Sequence, residues 1–396
     1  MDPRLLKRKA QTKPQHGHDW FFRLNPPSDY DNPKWMMKNK TGDTGLFGFY
    51  GQGIKTGEGV ILARDVIGKK KRESKFTKPT PPSTSKSSIV SNKPKVHKQF
   101  AYFPSLDSAI EHIEQWPEDQ RYFYELIGST DTRQKPYFDL DITLASIIEH
   151  VQRNHNTNKY SATKTGKKYS KREVIESAKM FAEEILMDIL AVICYKFLLR
   201  SEKNGERMNF NNINIYETIY PYDNNTQSLE VEKDNYDFDV DDFSPELLKR
   251  KYSYHVIIQG YYFSNHEKMK AFGQSVRDEY NKLCHEQENP SKVEPNDEQD
   301  TDDEVSKNYM YIIDDIWNST RQLRLLGSSK AESKSKKQLY SLNSNVLEIL
   351  KRIPQRYSNV FASRLYQSPL KSYATAEDQI MANSFVTNVS RCELLE

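Results

Sequence analysis

Two aspartates stand two positions apart in the stretch KPYFDLDI, residues 135–142, among apolar and β-prone residues. In a strand, side chains alternate between faces, so Tyr137, Asp139 and Asp141 would share one side and the apolar residues the other. Two neighbouring carboxylates repel each other, and the pKa of one rises unless a cation lies between them. The spacing therefore makes Asp139 and Asp141 candidate metal ligands.

A second acidic stretch competes with the first. In YDFDVDDF, residues 236–243, Asp237, Asp239 and Asp241 would also share a strand face. Because acidic residues alternate on many solvated strands, neither stretch identifies a metal site by itself. What distinguishes the first is the set of motifs that accompanies it.

The stretch KYSYH, residues 251–255, brings together donors suited to phosphate. On a strand, Lys251, Ser253 and His255 would lie on one face. An ammonium, a hydroxyl and an imidazole in a row can donate to successive oxygens of a phosphate chain. The alternative is a half-exposed strand with one structural histidine.

The third motif is IIDDIWNSTRQLRLLGSSK, residues 312–330. An acid pair ends a strand, Arg321 and Arg324 stand three apart on one face of a turn or helix, and Lys330 follows a break at Gly327. Arginines and a lysine beyond a carboxylate fit a metal-bound polyphosphate. A structural salt-bridge network would use the same residue types.

Together, the three motifs predict one site for nucleotidyl transfer. Carboxylate oxygens hold hard divalent cations such as Mg²⁺ or Mn²⁺. Two such ions about 4 Å apart would activate an attacking 3′-hydroxyl and stabilise the leaving pyrophosphate. The basic groups would bind the triphosphate.

In this order and with these flanks, the motifs resemble those of the archaeo-eukaryotic primase superfamily, in particular its eukaryotic and viral primase-polymerases. YFDLD is similar to the first metal motif, KYSYH to the Ser-x-His motif with its preceding Lys, and RQLRLLGSSK to the R-x-x-R-L-x-x-S-S-K run. RYFYELI (121–127) resembles the strand before the first motif, and ANSFVTNV (382–389) the terminal helix. The resemblance extends from about residue 98 to residue 390.

The resemblance implies an α+β fold, with an RRM-like antiparallel catalytic sheet preceded by a smaller N-terminal α/β unit. It implies that two Mg²⁺ or Mn²⁺ ions are bound by Asp139, Asp141 and a third acid. It also implies that Tyr124 lies near the sugar of the incoming nucleotide. The residues implied to contact that nucleotide are Tyr124, Lys251, Ser253, His255, Arg321, Arg324 and Lys330.

The sequence departs from the family pattern at the third acid and at the carboxyl end. The third acid of the family usually precedes an aromatic by four positions, but Ile313 holds that place before Trp317. A one-residue contraction favours Asp314, with Asp315 open as the alternative. Because no Cys/His zinc module follows the motifs, we expect no zinc site and a truncated or minimal member. The missing module argues against de novo primer initiation more than against primer extension, and both stay open.

Strands and helices are expected to position these motifs. The alternation patterns predict strands at 121–127 and 135–142, paired as a hairpin. Further strands are predicted at 212–220, 251–263 and 309–317. Helical periodicity predicts helices at 106–116, 171–200, 265–284, 345–353 and 377–389.

The composition divides the chain into an arm and a catalytic domain. Residues 1–97 are expected to form a basic low-complexity arm and linker with a candidate hairpin at 45–67, and residues 98–396 the catalytic domain. Disordered insertions are expected near 154–170, 223–235 and 286–305.

The charge distribution favours a nucleic-acid partner. Residues 1–100 hold 21 Lys and Arg against 8 Asp and Glu, whereas the remainder holds 37 against 47. A basic arm attracts polyanions, and nucleic acid is the first candidate. The resemblance implies single-stranded DNA template, primer and NTP or dNTP as partners, with a helicase or a single-strand-binding protein as a further candidate. No apolar run approaches the roughly 20 residues that span a bilayer, so no membrane partner is expected.

Cysteine usage and a basic cluster bear on location. The 3 cysteines are widely spaced and lack CxxC spacing, which favours a reducing intracellular compartment. GKKKRESK, residues 68–75, is typical of a nuclear localisation signal, and a viral replication site is the alternative.

Two other functions are compatible with parts of the sequence. One is a replication initiator that nicks DNA with a tyrosine, which would need a His-x-His metal motif on a strand, whereas His16 and His18 lie in the arm. The other is a replication-associated nucleic-acid-binding protein without catalysis.

Overall fold

The structure is a computed structural model that describes residues 20, 59–67, 96–127, 132–157, 169–201, 208–209, 213–219, 240–288, 312–314, 316, 321–331, 335–340, 365–366, 381–389 and 392–395. It divides into two compact units. Unit 1 comprises Met1–Leu126 and Gln322–Lys336, and unit 2 comprises Ile127–Arg321 and Lys337–Glu396.

The described residues form six α-helices and twelve β-strands. The described helices are α1 (Leu106–Glu114), α2 (Leu144–Thr157), α3 (Lys171–Glu176), α4 (Ala178–Ser201), α5 (Pro245–Leu248) and α6 (His266–Glu288). The strands are β1 (Val60–Ile67), β2 (Val96–Phe103), β3 (Phe123–Ile127), β4 (Tyr137–Thr143), β5 (Met208–Asn209), β6 (Ile213–Ile219), β7 (Lys251–Ile258), β8 (Tyr261–Tyr262), β9 (Arg321–Arg324), β10 (Lys336–Tyr340), β11 (Leu365–Tyr366) and β12 (Glu393–Leu394).

Unit 1 is built on a four-stranded sheet with the order β2-β1-β3-β9. β1 pairs antiparallel with β2 over its full length and with β3 on its other side. A Cβ at Gly59 would lie 2.3 Å from the Tyr102 ring and 2.5 Å from the carbonyl oxygen of Phe103, so the chain enters β1 at a glycine. The sheet therefore begins inside the segment that the composition assigns to the arm, while residues 45–58 of the candidate hairpin lie outside the described residues.

One tryptophan of the arm belongs to the core of unit 1. Trp20 is buried, and its ring lies 5.7 Å from the ring of His112 on α1 and 6.2 Å from that of Phe123. The Arg64 guanidinium lies 4.2 Å above the same tryptophan ring, in a cation–π arrangement. Trp20 therefore packs in the same unit as β1 and α1.

Unit 2 is built on a second four-stranded sheet with the order β10-β6-β7-β4. β7 lies in the middle and pairs antiparallel with both β4 and β6. One face of this sheet packs against helices, since the Phe138 ring of β4 lies 5.8 Å from the Phe272 ring of α6. α4 packs between α2 and α6 and is apolar almost all round, which is typical of a central buried helix.

The mixed α/β class with antiparallel sheets is confirmed. The predicted hairpin is wrong, because β3 and β4 belong to different sheets. The predicted helix at 171–200 is divided at Ser177 into α3 and α4, and the predicted strand at 251–263 is divided into β7 and β8, with Gly260 between them at φ 86°.

Several predicted segments lie wholly or partly outside the described residues. This holds for 68–75, 223–235 and 345–353, for most of 154–170, 286–305 and 309–317, and for 377–380. Where they are described, α2 continues to Thr157 and α6 continues to Glu288. The predicted helix at 377–389 is wrong beyond residue 383, because only residues 381–383 are helical. In the predicted strand at 309–317, Ile313 forms an isolated bridge with Leu140. None of the helices that the structure describes has the length and apolar character needed to span a bilayer.

Candidate functional site

The two aspartates of β4 lie on one face of the strand, as their spacing predicts. Phe138, Leu140 and Ile142 are fully buried on the other face, because these apolar side chains pack toward the helices. The Asp139 and Asp141 side chains keep 24% and 28% of their surface exposed. The strand therefore presents both carboxylates on the face opposite the helices.

The register of β4 and β7 brings the second motif against the first. Asp139 pairs with His255, Asp141 with Ser253, and Thr143 with Lys251, so all these side chains share one face. His255 Nε2 lies 3.4 Å from Asp139 Oδ1, and Lys251 forms a salt bridge with Asp141. Two motifs far apart in the chain thus form one cluster.

The third acid reaches this face through a backbone bridge. The Asp141 amide donates to the Ile312 carbonyl at 2.9 Å, and the Asp314 amide donates to the Asp139 carbonyl at 2.9 Å. Because Leu140 and Ile313 are bridge partners in antiparallel register, the next residue, Asp314, lies opposite Asp139. Asp314 is exposed, and Asp315 lies outside the described residues.

The surroundings of Asp139 oppose its charge. Burial raises the pKa of Asp139 from its ordinary value of 3.8 to about 6, with Asp141 and Asp314 adding to the rise and Lys337 and Lys251 opposing it. Its Oδ1 is buried without a hydrogen-bond partner among the described residues, since the contact with His255 lacks hydrogen-bond geometry. A buried carboxylate oxygen beside two further carboxylates is suited to a hard cation.

A divalent ion therefore fits the chemistry of these residues. Within the described ranges, no three Asp, Glu, His or Cys side chains already form a metal-ligand group. Lys251 takes one oxygen of Asp141 in the present arrangement. Asp139, Asp141 and Asp314 are the residues that could hold the ion, with the Lys251 ammonium giving way at Asp141.

Tyr124 lies in unit 1, in a second polar cluster. Its hydroxyl donates to Asp65 Oδ2 at 2.8 Å. Lys98 Nζ lies 2.6 Å from Asp65 Oδ1 and 3.4 Å from the centre of the Tyr124 ring. An aspartate of β1, a lysine of β2 and a tyrosine of β3 are thus joined across neighbouring strands.

Arg324 and Lys330 belong to the same cluster. Burial lowers the pKa of Lys98, and the positive charges of Lys330 and Arg324 lower it further against the opposite effect of Asp65. Arg324 donates to the carbonyl oxygen of Ser335 at 2.8 Å and to its hydroxyl at 3.0 Å. Gly327 turns the chain after β9 with φ of 73°, a conformation that favours glycine.

The placement of Arg321 and Arg324 on one face of a turn or helix is wrong. Both lie in β9, where residues three apart point to opposite faces. Arg321 Nε donates to the carbonyl oxygen of Ile316 at 3.3 Å. Pairing within the sheet of unit 1 thus overrides the local helical spacing.

The predicted residues fall into two groups. Within unit 2 the structure brings together Asp139, Asp141, Asp314, Lys251, Ser253 and His255. Tyr124, Arg324 and Lys330 are grouped within unit 1, and Arg321 is the last residue of its segment of unit 2. The competing acidic stretch is described only in part, and there Val240–Asp242 form a 3₁₀-helix rather than an alternating strand.

Three charged residues of these clusters belong to none of the sequence motifs and were not predicted. Lys98 alternates with Phe100 and Tyr102 on β2, and a lysine on such an apolar face is a signal that the sequence does contain. Asp65 lies on β1 within the segment expected to be arm, and Lys337 lies in a stretch rich in lysine and serine. No local pattern separates these two from solvated charges.

Comparison with known proteins adds no family to this description. A scan against protein-family models gives no match, and a search of curated proteins gives none either. The functional conclusion therefore depends on the geometry of the two clusters.

Proposed function

We propose that the chain is a metal-dependent, template-directed nucleotidyltransferase, a DNA primase-polymerase of the archaeo-eukaryotic primase type that copies single-stranded DNA. One observation carries the proposal. Three carboxylates from two chain segments share a sheet face with Lys251, Ser253 and His255, and His255 Nε2 lies 3.4 Å from Asp139. The antiparallel sheet with helices on its other face supports an RRM-like catalytic module.

The acids have one role in this proposal and the basic residues another. Asp139, Asp141 and Asp314, with Asp315 as the alternative, would hold two Mg²⁺ or Mn²⁺ ions, which supply activation of a 3′-hydroxyl and charge stabilisation of pyrophosphate. Lys251, Ser253 and His255 donate to oxygens of the triphosphate. The face of the unit 2 sheet that presents Asp139, Asp141 and Asp314 is called the acid face. The alignment of the three donors on β7 orients the phosphate chain along this face.

The resemblance assigns further nucleotide contacts to Tyr124, Arg324 and Lys330, which the structure groups within unit 1, and to Arg321. In the proposal the three basic residues bind phosphate oxygens, and Tyr124 lies near the sugar. The positive charges of Arg324 and Lys330 act on Lys98 and lower its pKa, and this gathering of positive charge supports an anion-binding role.

The proposed macromolecular partners are a single-stranded DNA template and a primer. The 21 Lys and Arg of residues 1–100 support electrostatic attraction to the phosphate backbone. Further proposed partners are nucleotides and a helicase or a single-strand-binding protein. The proposed location is the nucleus or a viral replication site.

Primer extension with Mg²⁺ or Mn²⁺ tests this function. The variant Asp139→Asn with Asp141→Asn removes two charges from the acid face while keeping similar side-chain shapes. We expect the rate to fall by more than about 100-fold. Replacing a residue that only hydrogen-bonds to a metal ligand already lowers metal affinity or activity about 10–100-fold, and these aspartates would be ligands themselves.

The matched control carries Asp241→Asn with Asp242→Asn, a pair of exposed aspartates in the 3₁₀-helix. Its rate is expected to equal that of the wild type. If wild type and the Asp139/Asp141 variant extend primers equally well, the catalytic role of these acids is excluded. A wild type that binds single-stranded DNA without extending or nicking it supports the non-catalytic alternative, and nicking supports the initiator.

A further inference from the structure

Lys337 is a lysine buried beside the acid face. Its relative exposure is 0%, although lysine is almost never fully buried without a partner. Its Nζ lies 3.4 Å from both the carbonyl oxygen and the hydroxyl oxygen of Ser253. A buried ammonium is costly unless it donates hydrogen bonds, so these contacts hold both residues in place.

The strand order explains how the two residues meet. Lys337 lies on β10, and Ser253 lies on β7, with β6 between them. The next residue, Gln338, donates to Glu217, which pairs in register with Tyr254. Since Tyr254 alternates with Ser253, Gln338 lies on the helix side of the sheet and Lys337 on the acid face.

The chemistry of the pair fixes the direction of one hydrogen bond. An ammonium group has donors only, so the Ser253 hydroxyl must accept from Lys337. The hydroxyl hydrogen of Ser253 is then left to donate to another group. On a face that also presents Lys251 and His255, such a donor is suited to a phosphate oxygen.

We propose that Lys337 is a positioning residue that holds Ser253 with its hydroxyl oriented as a donor to the nucleotide triphosphate. This inference rests on the proposed nucleotidyltransferase function. The positive charge of Lys337 also lowers the pKa of Asp139 against the effect of burial, which places it within electrostatic reach of the acids.

Steady-state primer extension with Lys337→Met tests the inference. We expect the KM for the incoming nucleotide to rise about 10-fold with a smaller change in kcat, because Lys337 acts on a ground-state contact through Ser253. The control is Lys336→Met, which removes the same charge from a residue whose Nζ pairs with Glu118 at 2.6 Å. That control should leave the KM unchanged.

Ser253→Ala and the double variant separate positioning from general destabilisation. If Lys337 acts through the hydroxyl, the double variant has the KM of Ser253→Ala alone, whereas independent effects multiply. The melting temperature of each variant is measured beside the kinetics. If Lys337→Met does not fold, Ser253→Ala still decides, since an unchanged KM there overturns the inference.

The two proposals fail in different ways. An active wild type with the same KM in Lys337→Met overturns the positioning role and leaves nucleotidyl transfer intact. A wild type that neither extends primers nor binds nucleotide overturns both. An active wild type with a raised KM in both single variants and no further rise in the double variant supports both.

Discussion

At the scale of single residues, Asp139 combines a structural cost with a chemical use. Burial and the negative charges of Asp141 and Asp314 all raise the pKa of its carboxylate. A group held in an unfavourable charge state lowers the stability of the free fold and gains from a cation that enters. Such a conflict is typical of functional sites, where stability is given up for binding.

Replacing Asp139 by asparagine should stabilise the chain near pH 7. A carboxyl whose pKa is higher in the folded chain than the ordinary 3.8 binds its proton more tightly when folded. Wild-type stability therefore falls as the pH rises from about 4 to about 6 and is level above that range. The full shift corresponds to at most about 3 kcal/mol, which Asp139→Asn should recover.

Chemical unfolding of both chains from pH 4 to pH 8 measures this difference. The gap between variant and wild type should widen between pH 4 and pH 6, while Asp241→Asn, an exposed control, should show no such window. Mn²⁺ should raise the melting temperature of the wild type more than that of Asp139→Asn. A variant less stable than wild type at pH 7 in the absence of metal would contradict the assigned environment of Asp139.

At the scale of elements, strand alternation predicts the features that depend on residues close in the sequence, such as which side chains share a strand face. β4 and β7 are confirmed because their apolar and polar positions repeat with the period of a strand. The face shared by Asp139 and Asp141 follows from that period alone. So do the faces of Lys251, Ser253 and His255.

The wrong predictions arise where the structure depends on pairing between strands that are distant in the sequence. β3 and β4 are adjacent in sequence, but β3 pairs with β1 through Leu62 and Glu125, and β4 pairs with β7. The arginines of β9 fit a helical face locally, yet the strand joins the sheet of unit 1. Lys337 could not be predicted as part of the site, because only the strand order carries it to Ser253.

The packing of α4 and α6 leads to a prediction about thiol reactivity. Burial raises the pKa of Cys194 on α4 and raises that of Cys284 on α6 to about 11, whereas Cys392 is half-buried. Only the thiolate reacts with alkylating reagents. We therefore expect iodoacetamide to label Cys392 first in the native chain, with Cys194 and Cys284 protected until unfolding.

Peptide mapping by mass spectrometry after timed labelling measures the three rates. In denaturant all three cysteines should react at similar rates, which serves as the control. Native labelling of Cys194 as fast as that of Cys392 would show that α4 is not the central buried helix of unit 2.

At the scale of the whole molecule, sequence-distant segments supply each cluster. Unit 1 joins strands of its first 126 residues to residues 322–336, so the charge of Arg324 acts on Lys98 although the chain between them contains most of unit 2. The acid face likewise draws on β4, β7 and residues 312–314. The sequence predicts a basic amino-terminal region with a candidate hairpin at 45–67, but nothing in it indicates that β1 and Trp20 belong to the same folded unit as α1.

Trp20 makes it possible to separate the charge of the arm from its structural contribution. Residues 1–18 contain five Lys and Arg, whereas Trp20, the residue of the first 58 that the structure describes, packs in unit 1. Deleting residues 1–18 should weaken single-stranded DNA binding at low salt, with the salt slope falling by about 0.7 for each DNA phosphate that the arm neutralises in the full chain. The melting temperature should stay the same, because Trp20, Arg64 and β1 remain.

Trp20→Ala should have the opposite profile. Removing a buried tryptophan costs about 3 kcal/mol or more of unfolding free energy and leaves every positive charge in place, so the melting temperature falls while the salt slope of the folded protein is kept. Fluorescence anisotropy with a labelled oligonucleotide at several salt concentrations, beside thermal unfolding, measures both quantities. If the deletion lowers the melting temperature as much as Trp20→Ala does, the first 18 residues also stabilise the fold, and the division between charged arm and anchored core must be moved toward the amino terminus.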